Sequence, residues 1–292
     1  MDKELNPNSR YTFRHIIHDG VLLFDCDFKA IETMETFEDD IWVCGFPRSG
    51  TTLTTEIVEL VQTLDFEKAN TVQLDERFAF IERIDETIPN ATGMDALKNA
   101  GSPRVFKSHL QYKFLPKMLQ GGKGRMVYVC RNPKDVVLSW YKLMQWFDWC
   151  DMSLAEFFED FMNGKVLYGG WEDNVLGFWN NTKVGNLLFL KYEDVVKDIP
   201  KTIRDIASFL GRTLTDGDVN RIHEHCSIES MRKNPTLNLE HMAGSNMKDG
   251  YGGFINKGKP GTWRESLTSE MSSRLDDVLK QVAEKRLSFE CC

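Results

Sequence analysis

Features typical of secreted, membrane and nucleic-acid-binding proteins are scarce in this sequence. No stretch approaches the roughly 18 apolar residues of a membrane-spanning helix, and residues 1–4 lack the apolar character of a signal peptide. Lysine and arginine total 36 against 44 aspartate and glutamate, for a net charge of −8. Because binding to phosphate backbones depends on cationic side chains, this balance disfavours nucleic acid as a partner. We expect a cytoplasmic protein that binds neither membranes nor nucleic acid.

The sequence also lacks the cysteine spacing of a disulfide framework or a zinc site. Its 7 cysteines are scattered, odd in number and without a Cys-x-x-Cys pair. Cys44 and Cys130 lie inside apolar runs, where cysteine behaves as a small core residue. We therefore expect a reduced intracellular protein that holds no metal.

Short apolar runs alternate with segments of helical spacing along the chain. The apolar runs, which are typical of strands buried on both faces, lie at residues 41–46, 104–107, 126–130 and 187–191. The segments of helical spacing lie at residues 52–64, 133–147, 199–210 and 269–285. This alternation predicts an α/β fold, a single domain with a central parallel sheet flanked by helices. We expect the domain to fill residues 1–292, with residues 1–40 on the substrate side and residues 234–264 as a lid.

A glycine-containing loop, GFPRSGTT at residues 45–52, follows the first apolar run and opens a predicted helix. Backbone N–H groups at a helix N-terminus bind phosphate, and Arg48, Thr51 and Thr52 can add a positive charge and hydroxyl donors. Compared with the triphosphatase loop GxxxxGK[ST], Thr51 stands where the lysine is needed. The pattern predicts a P-loop-like phosphate site, and a strand–helix turn with an ordinary Ser/Thr cap is the alternative.

The segment RVFKSHL at residues 104–110 ends the second apolar run. His109 lies just beyond the predicted strand end, where open α/β sheets bind their ligands. Histidine can remove a proton from a hydroxyl near neutral pH. We interpret His109 as a candidate general base, and a structural histidine is the alternative.

The segment YVCRNPKDVVLSWY at residues 128–141 is the most specific stretch of the chain. A predicted strand ends at Arg131, Pro133 suits the first turn of a helix, and Ser139 lies within that helix. Taken alone, the segment is also consistent with an exposed arginine and a solvated helix face.

These motifs together resemble the cytosolic sulfotransferases across residues 41–264. That family's segments YPKSGTTW, K-[TS]-H-L and RNPKDxxxSxY are similar to FPRSGTTL, KSHL and RNPKDVVLSWY here. Three more segments, YED at residues 192–194, SIESM at residues 227–231 and NKGKPGTWR at residues 256–264, resemble the family's YED, SFexM and RKGxxGxWK. The resemblance implies a sulfotransferase that moves a sulfuryl group from 3′-phosphoadenosine 5′-phosphosulfate (PAPS) to a hydroxyl of a small lipophilic acceptor. The products would be a sulfate ester and PAP, and no metal would take part.

The resemblance also implies a role for each matched residue. His109 would be the general base, while Lys107 and Arg48 would stabilise charge on the sulfuryl oxygens and the leaving phosphate. Arg131 and Ser139 would bind the 3′-phosphate. The remaining predicted donor contacts, beside Arg48, are Ser49, Gly50, Thr51, Thr52, Leu53, Tyr192, Ser227, Ile228, Met231, Asn256, Lys257 and Gly258.

Several donor positions depart from the family's pattern. Arg48 replaces a lysine, and Asn256 replaces an arginine of the 3′-phosphate site. Leu53 and Ile228 replace a tryptophan and a phenylalanine that contact adenine, so the predicted adenine slot is aliphatic on both sides. A catalytically weak protein that binds PAP, PAPS or another small molecule is therefore one alternative. A nucleoside-phosphate kinase is the other, disfavoured by Thr51 in the loop.

An aromatic-rich region predicts an apolar acceptor pocket. Phe80 lies in the segment RFAFIE, which resembles the family's RxPFLE, and Leu143, Trp146 and Phe147 follow Ser139 along the chain. Ordinary core packing is the alternative for each aromatic residue. Phenols, sterols and other alcohols are all compatible acceptors. The family's dimer motif, KxxxTVxxxE, is degenerate at residues 264–273, so we expect a monomer or a weak homodimer.

Overall fold

The computed structural model describes residues 10–82, 102–238, 253–255 and 257–289. The strands in these ranges are β1 (His15–His18), β2 (Val21–Phe24), β3 (Ile41–Cys44), β4 (Ala79–Phe80), β5 (Val105–Ser108), β6 (Arg125–Cys130) and β7 (Leu187–Lys191). The α-helices are α1 (Phe28–Thr33), α2 (Thr51–Thr63), α3 (Phe66–Thr71), α4 (Leu74–Arg77), α5 (Lys117–Gln120), α6 (Pro133–Trp146), α7 (Leu154–Met162), α8 (Trp171–Trp179), α9 (Tyr192–Lys197), α10 (Ile199–Phe209), α11 (Asp216–His225), α12 (Ile228–Lys233) and α13 (Ser269–Glu284).

The central sheet contains five parallel strands in the order β4-β5-β3-β6-β7. Its middle strand, β3, pairs with β5 on one side and with β6 on the other, so the chain changes direction across the sheet at this point. In open α/β sheets a ligand binds beyond the carboxyl ends of the strands at such a reversal. The loops that follow β3, β5 and β6 therefore meet at one edge of the sheet.

Helices cover both faces of the sheet. Successive residues of β3 point to opposite sides, so Trp42 and Cys44 join one buried cluster while Ile41 and Val43 join the other. The first cluster includes side chains of α6, α7, α8 and α13, and the second includes side chains of α2, α10 and α11. Burial on both faces explains the unbroken apolar runs in the sequence. The predicted α/β class with a central parallel sheet is confirmed.

The predicted helices agree with α2, α6, α10 and α13 to within about one residue at each end. No pattern in the sequence indicated the antiparallel β1–β2 hairpin or the helices α7 and α8. The hairpin lies within the segment expected on the substrate side, and Phe24 at its end reaches the cavity described below. In the part of the chain that the structure describes, no helix is both long and apolar enough to cross a membrane.

Candidate active site

The loop between β3 and α2 forms an open helix N-terminus. Gly50 precedes the first residue of α2 with a φ of 100°, in the left-handed region that favours glycine, and no side chain caps the helix there. A Cβ atom at position 50 would stand 2.4 Å from Cδ2 of Tyr192, so the tyrosine ring lies directly against the loop. Gly50, Thr51 and Thr52 line a cavity of about 310 Å³, which we call the main cavity. Free N–H groups and the helix dipole make this end of α2 an anion site.

Arg48 connects this loop to two other parts of the site. Its Nε donates to Ser139 Oγ at 3.0 Å, and one terminal nitrogen donates to the carbonyl oxygen of Phe254 at 2.8 Å. The guanidinium carbon also lies 5.2 Å from the centroid of the Phe254 ring. Burial, and then the charge of Arg131, lowers the pKa of Arg48 to about 10. The side chain therefore remains a cation at neutral pH.

His109 follows β5 and has a defined tautomer. Its Nδ1 lies 2.6 Å from the carbonyl oxygen of Gly45. Because a carbonyl oxygen can only accept, Nδ1 carries the proton and Nε2 presents a lone pair. Burial, and then the charge of Lys107, lowers the pKa of His109 to about 3, so the ring is neutral at physiological pH. A buried, neutral imidazole with an unprotonated Nε2 can accept a proton from a bound hydroxyl.

Glu82, for which the sequence predicts no role, holds the backbone of His109. Its Oε1 accepts from the backbone N–H of His109 and from Ser108 Oγ at 3.1 Å. Ser108 Oγ in turn accepts from the backbone N–H of Leu110 at 3.1 Å. Burial raises the pKa of Glu82 to about 7. The RFAFIE motif contains this residue, but no local pattern indicates that its carboxylate meets the turn after another strand.

Aromatic rings surround the functional end of β5. The centroid of the Phe80 ring lies 5.5 Å from that of His109 and 5.3 Å from Lys107 Nζ. The Tyr168 ring lies edge-on to His109, with 5.4 Å between centroids. Lys107 and His109 both line the main cavity. The cation and the base therefore face a space with aromatic walls.

Arg131 and Ser139 form a second polar group, in contact with Arg48 of the phosphate loop. Arg131 follows β6, and its guanidinium lies 4.5 Å from the centroid of the Tyr192 ring. The same group donates to the carbonyl oxygens of Arg48 at 3.4 Å and Lys259 at 3.3 Å. Arg131 therefore joins the phosphate loop to the segment predicted as a lid.

The turn that carries Arg131 and Ser139 is held by local and distant contacts. The Asn132 side chain caps α6 by accepting from the backbone N–H of Lys134 at 3.0 Å, and Pro133 occupies the first turn. Asp135 accepts from the backbone N–H groups of Gly261 at 2.7 Å and Trp263 at 3.1 Å. These bonds fix the segment after Lys259 to the first turn of α6.

The main cavity brings most of the predicted residues together. The predicted residues that line it are Arg48, Gly50, Thr51, Thr52, Leu53, Phe80, Lys107, His109, Arg131, Ser139, Leu143, Phe147, Tyr192, Ile228, Met231 and Gly258. A Cβ at Gly258 would stand 2.7 Å from Cδ1 of Ile228, so this glycine allows the backbone to approach Ile228 closely. Further lining residues that carried no site prediction include Phe24, Tyr168, Phe254 and Cys226.

Other predicted residues do not line this cavity. Trp146, predicted in the acceptor pocket, lies instead in the buried cluster on one face of the sheet, with its ring centroid 4.7 Å from that of Phe147. Ser227 caps α12 by accepting from the backbone N–H of Ser230 at 3.2 Å. Ser49 is buried, and its hydroxyl makes no hydrogen bond to any residue that the structure describes. Lys257 lines a separate small cavity, and Asn256 lies outside the described residues.

Within the described ranges, no three His, Cys, Asp or Glu side chains are grouped so that they could hold a metal ion. The site brings together an anion-binding helix end, a neutral imidazole with an unprotonated Nε2, several cations and an apolar wall. Such a set suits the transfer of an anionic group from a nucleotide to a hydroxyl.

Comparison with known proteins identifies the class. The chain belongs to the sulfotransferase family, because its residues 38–286 match the family model of the sulfotransferase domain. It is 31% identical to sulfotransferase 1C2 of Homo sapiens over 261 residues, which cover 88% of each chain. It is 34% identical to sulfotransferase 1E1 of Mus musculus over 268 residues, which cover 90% of each chain.

Solved structures agree with this assignment. The fold is similar to retinol dehydratase in complex with androsterone and the inactive cofactor PAP, with a TM-score of 0.84 and 25% identity over 95% of this chain and 94% of that chain. A complex of retinol dehydratase with retinol and PAP gives a TM-score of 0.80 and 27% identity over 90% and 87% of the two chains. The prediction of a PAPS-dependent enzyme is confirmed: the protein transfers a sulfuryl group from PAPS to a hydroxyl acceptor.

Proposed function

We propose that this sulfotransferase acts on a small lipophilic alcohol or phenol whose hydroxyl is placed against His109. The observation that carries this proposal is the aromatic wall around the base. Phe80 and Tyr168 flank the imidazole, and Phe24, Phe147 and Trp149 line the same cavity. A wall of this kind favours an apolar acceptor because binding removes apolar surface from water. The similar structures that hold retinol and androsterone support a lipophilic alcohol.

In the proposed reaction, the acceptor oxygen attacks the sulfur of the donor in line with the leaving phosphate. A new S–O bond forms to the acceptor while the S–O bond to the 5′-phosphate breaks, and its electron pair remains on the phosphate oxygen. The hydroxyl proton passes to Nε2 of His109, which the Gly45 carbonyl keeps in the correct tautomer. Lys107 stabilises the charge on the sulfuryl oxygens, and Arg48 stabilises the leaving phosphate.

The depressed pKa of His109 fits this role once the donor is considered. The pKa of about 3 applies to a ring that faces the cations Lys107 and Arg48. A bound donor brings several negative charges to the same place, and negative charge raises the pKa of an imidazole. We expect His109 to become a stronger base when the donor is in place.

The proposed donor position follows from the two anion sites. The N-terminus of α2 holds the 5′-phosphosulfate, and Arg131 with Ser139 holds the 3′-phosphate. Because the Ser139 hydroxyl oxygen accepts from Arg48, its own proton is available to a phosphate oxygen. Leu53 and Ile228 enclose the adenine between them, and burying each contributes on the order of 1.5–3 kcal/mol.

We further propose that the protein works in the cytoplasm as a monomer or a weak homodimer. All five cysteines within the described ranges are free thiols, which suits a reducing compartment. Gel filtration at micromolar and submicromolar concentrations tests the oligomeric state, since a weak dimer dissociates on dilution.

The acceptor proposal is tested with ³⁵S-labelled PAPS and a panel of phenols, sterols, linear alcohols, amines and monosaccharides. We expect label transfer to lipophilic hydroxyl compounds and none to monosaccharides. Phe147→Leu, which alters the cavity wall, is expected to change the KM for the acceptor. Trp146→Phe is the matched control, since this neighbouring side chain lies in the core and its change is expected to leave that KM unaltered. Transfer confined to polar acceptors would contradict the proposal.

A further inference from the structure

A second, smaller cavity of about 20 Å³ adjoins the proposed 3′-phosphate site. Arg131, Ser139 and Gly258 line both this cavity and the main one. Lys142 and Lys259 line only the smaller cavity, as does Lys257. Cationic side chains therefore gather around a space that opens from the place proposed for the 3′-phosphate.

One of these cations is already neutralised. Lys257 Nζ lies 2.9 and 2.6 Å from the two carboxylate oxygens of Glu265. These hydrogen bonds are the main reason why the pKa of Glu265 is lowered, and the charge of nearby Lys142 contributes less. A phosphate that used Lys257 would have to compete with a carboxylate of this chain.

Lys142 and Lys259 are placed differently. Neither ammonium group makes a hydrogen bond or salt bridge to another residue in the described part of the chain. Lys142 lies three residues after Ser139 on α6, and residues at this spacing share a helix face. Lys259 is fastened through its backbone, because its carbonyl oxygen accepts from Arg131 at 3.3 Å.

We propose that Lys142 and Lys259 supply the charge that recognises the 3′-phosphate in this chain. This inference rests on the proposed function, in which Arg131 and Ser139 bind that phosphate. The sequence carries the neutral Asn256 where the family's pattern has an arginine, and Glu265 occupies Lys257. Lys142 and Lys259 replace the positive charge that is missing at position 256 and neutralised at Lys257.

Electrostatics explains why such a site selects its ligand. Arg131, Lys142 and Lys259 are like charges around one small cavity, and their mutual repulsion is relieved when a dianionic phosphate binds to Arg131 and Ser139 beside it. A nucleotide without a 3′-phosphate gains nothing from these lysines. The pair therefore acts on the difference in affinity between PAP and adenosine 5′-monophosphate (AMP), and not on nucleotide affinity in general.

The test measures the dissociation constants of PAP and AMP by calorimetry for the wild-type protein and for Lys142→Gln and Lys259→Gln. We expect each substitution to weaken PAP binding about tenfold, as for loss of one charge-assisted contact, and to leave AMP binding unchanged. Lys183→Gln is the matched control, because this exposed lysine lies before β7, away from both cavities. A PAP constant within about twofold of wild type in both variants, or an equal loss for AMP, overturns the inference.

Arg131→Gln separates this inference from the function on which it rests. If Arg131→Gln removes most of the PAP–AMP difference while both lysine variants retain it, the proposed 3′-phosphate site stands and the role of the lysines is wrong. If the wild-type protein does not distinguish PAP from AMP, the proposed 3′-phosphate site itself is wrong. Circular dichroism and thermal melting of each variant confirm that the affinities refer to folded protein.

Discussion

The two ends of the proposed donor site are built in different ways. At the phosphate loop, the anion site consists of the backbone of α2, a left-handed Gly50 and a partly buried Arg48. At the other end, Lys142 and Lys259 stand around a small cavity at the protein surface. A backbone site depends on conformation, whereas a side-chain site depends on charge. Charge can move to a neighbouring position, as we propose for Lys142 and Lys259, but the conformation of the loop has no such substitute.

The ion pairs near the two ends of the donor site also differ, because one set is buried and the other is exposed. On the helix that follows the phosphate loop, Glu56 and Glu59 pair with Arg77, whose side chain is fully buried. The Arg77–Glu56 distance is 2.8 Å. On the other side, Lys257 and Glu265 form an exposed pair at 2.6 Å. Similar contacts have very different energetic weight, because solvent screens the exposed pair and an unpaired buried charge is costly.

The largest effect is expected for Arg77→Ala. This substitution leaves Glu56 and Glu59 buried without the guanidinium, and we expect the free energy of unfolding to fall by about 3–5 kcal/mol. Urea denaturation of the purified protein measures it. Arg204→Ala is the control, since it breaks an exposed pair with Asp216 and is expected to have a much smaller effect. Equal losses in the two variants would remove the contrast between buried and exposed pairs.

Arg48→Ala tests the charge at the phosphate loop. It removes the cation that we propose stabilises the leaving phosphate, and we expect kcat/KM with PAPS to fall by about 10²–10³-fold. Arg48→Lys is expected to recover part of this loss, because it keeps the charge but not the forked contacts to Ser139 and Phe254. Lys142→Gln is measured in the same kinetic assay. A loss of kcat/KM in Arg48→Ala no larger than that in Lys142→Gln would show that the two ends of the donor site contribute alike.

The pH dependence of stability tests the burial of His109. Its pKa is about 3 in the folded protein and 6.5 in the reference state, so its stabilisation is present above pH 6.5 and is lost as the pH falls toward 3. The loss amounts to at most about 1.4 kcal/mol per pH unit. Glu82 acts in the opposite direction, since its raised pKa of about 7 favours folding below pH 4.5 and this contribution is lost as the pH rises to 7.

We therefore expect His109→Gln to lose less stability than the wild-type protein between pH 7 and pH 5. Urea denaturation at both pH values gives the change in the free energy of unfolding. We expect Glu82→Gln to lose more stability than the wild-type protein over the same range. An identical pH dependence in His109→Gln and wild type would show that the imidazole is not buried in its neutral form.

The smallest effect is expected for Glu265→Gln. Removing this carboxylate releases Lys257 from its exposed pair, and we expect PAP to bind about two- to threefold more tightly at low salt. Calorimetry at two ionic strengths measures the change. Asp205→Asn, which breaks the exposed pair with Lys201, is the control and should leave PAP affinity unaltered. Weaker PAP binding in Glu265→Gln would mean that the carboxylate positions Lys257 for the ligand.

The parts of the fold that the sequence predicts well are those with a local cause. The parallel strands β3, β5, β6 and β7 follow from apolar runs, and the helices α2, α6, α10 and α13 follow from periodic spacing and the Asn132–Pro133 start signal. β4 has only two residues, too few for a pattern to emerge. β1 and β2 have four residues, as β3 does, but the histidines at both ends of β1 leave only two apolar residues in a row.

The site shows the same limit. His109, Arg48, Arg131 and Ser139 lie in motifs, and the fold brings them to one cavity. The role of Glu82 could not be predicted, because it depends on a hydrogen bond between a residue after β4 and the backbone of His109 after β5. Trp146 and its neighbour Phe147 are both aromatic and apolar, and only the rotation of α6 decides which of the two faces the cavity.

The central claim is that His109 Nε2 takes the proton of the acceptor hydroxyl during sulfuryl transfer. It is tested most directly by single-turnover kinetics of His109→Gln at saturating PAPS and acceptor, with PAP affinity measured on the same preparation. We predict a transfer rate about 10²–10⁴-fold below that of wild type, with PAP affinity nearly unchanged. A transfer rate close to that of wild type would contradict the assignment of His109 as the base.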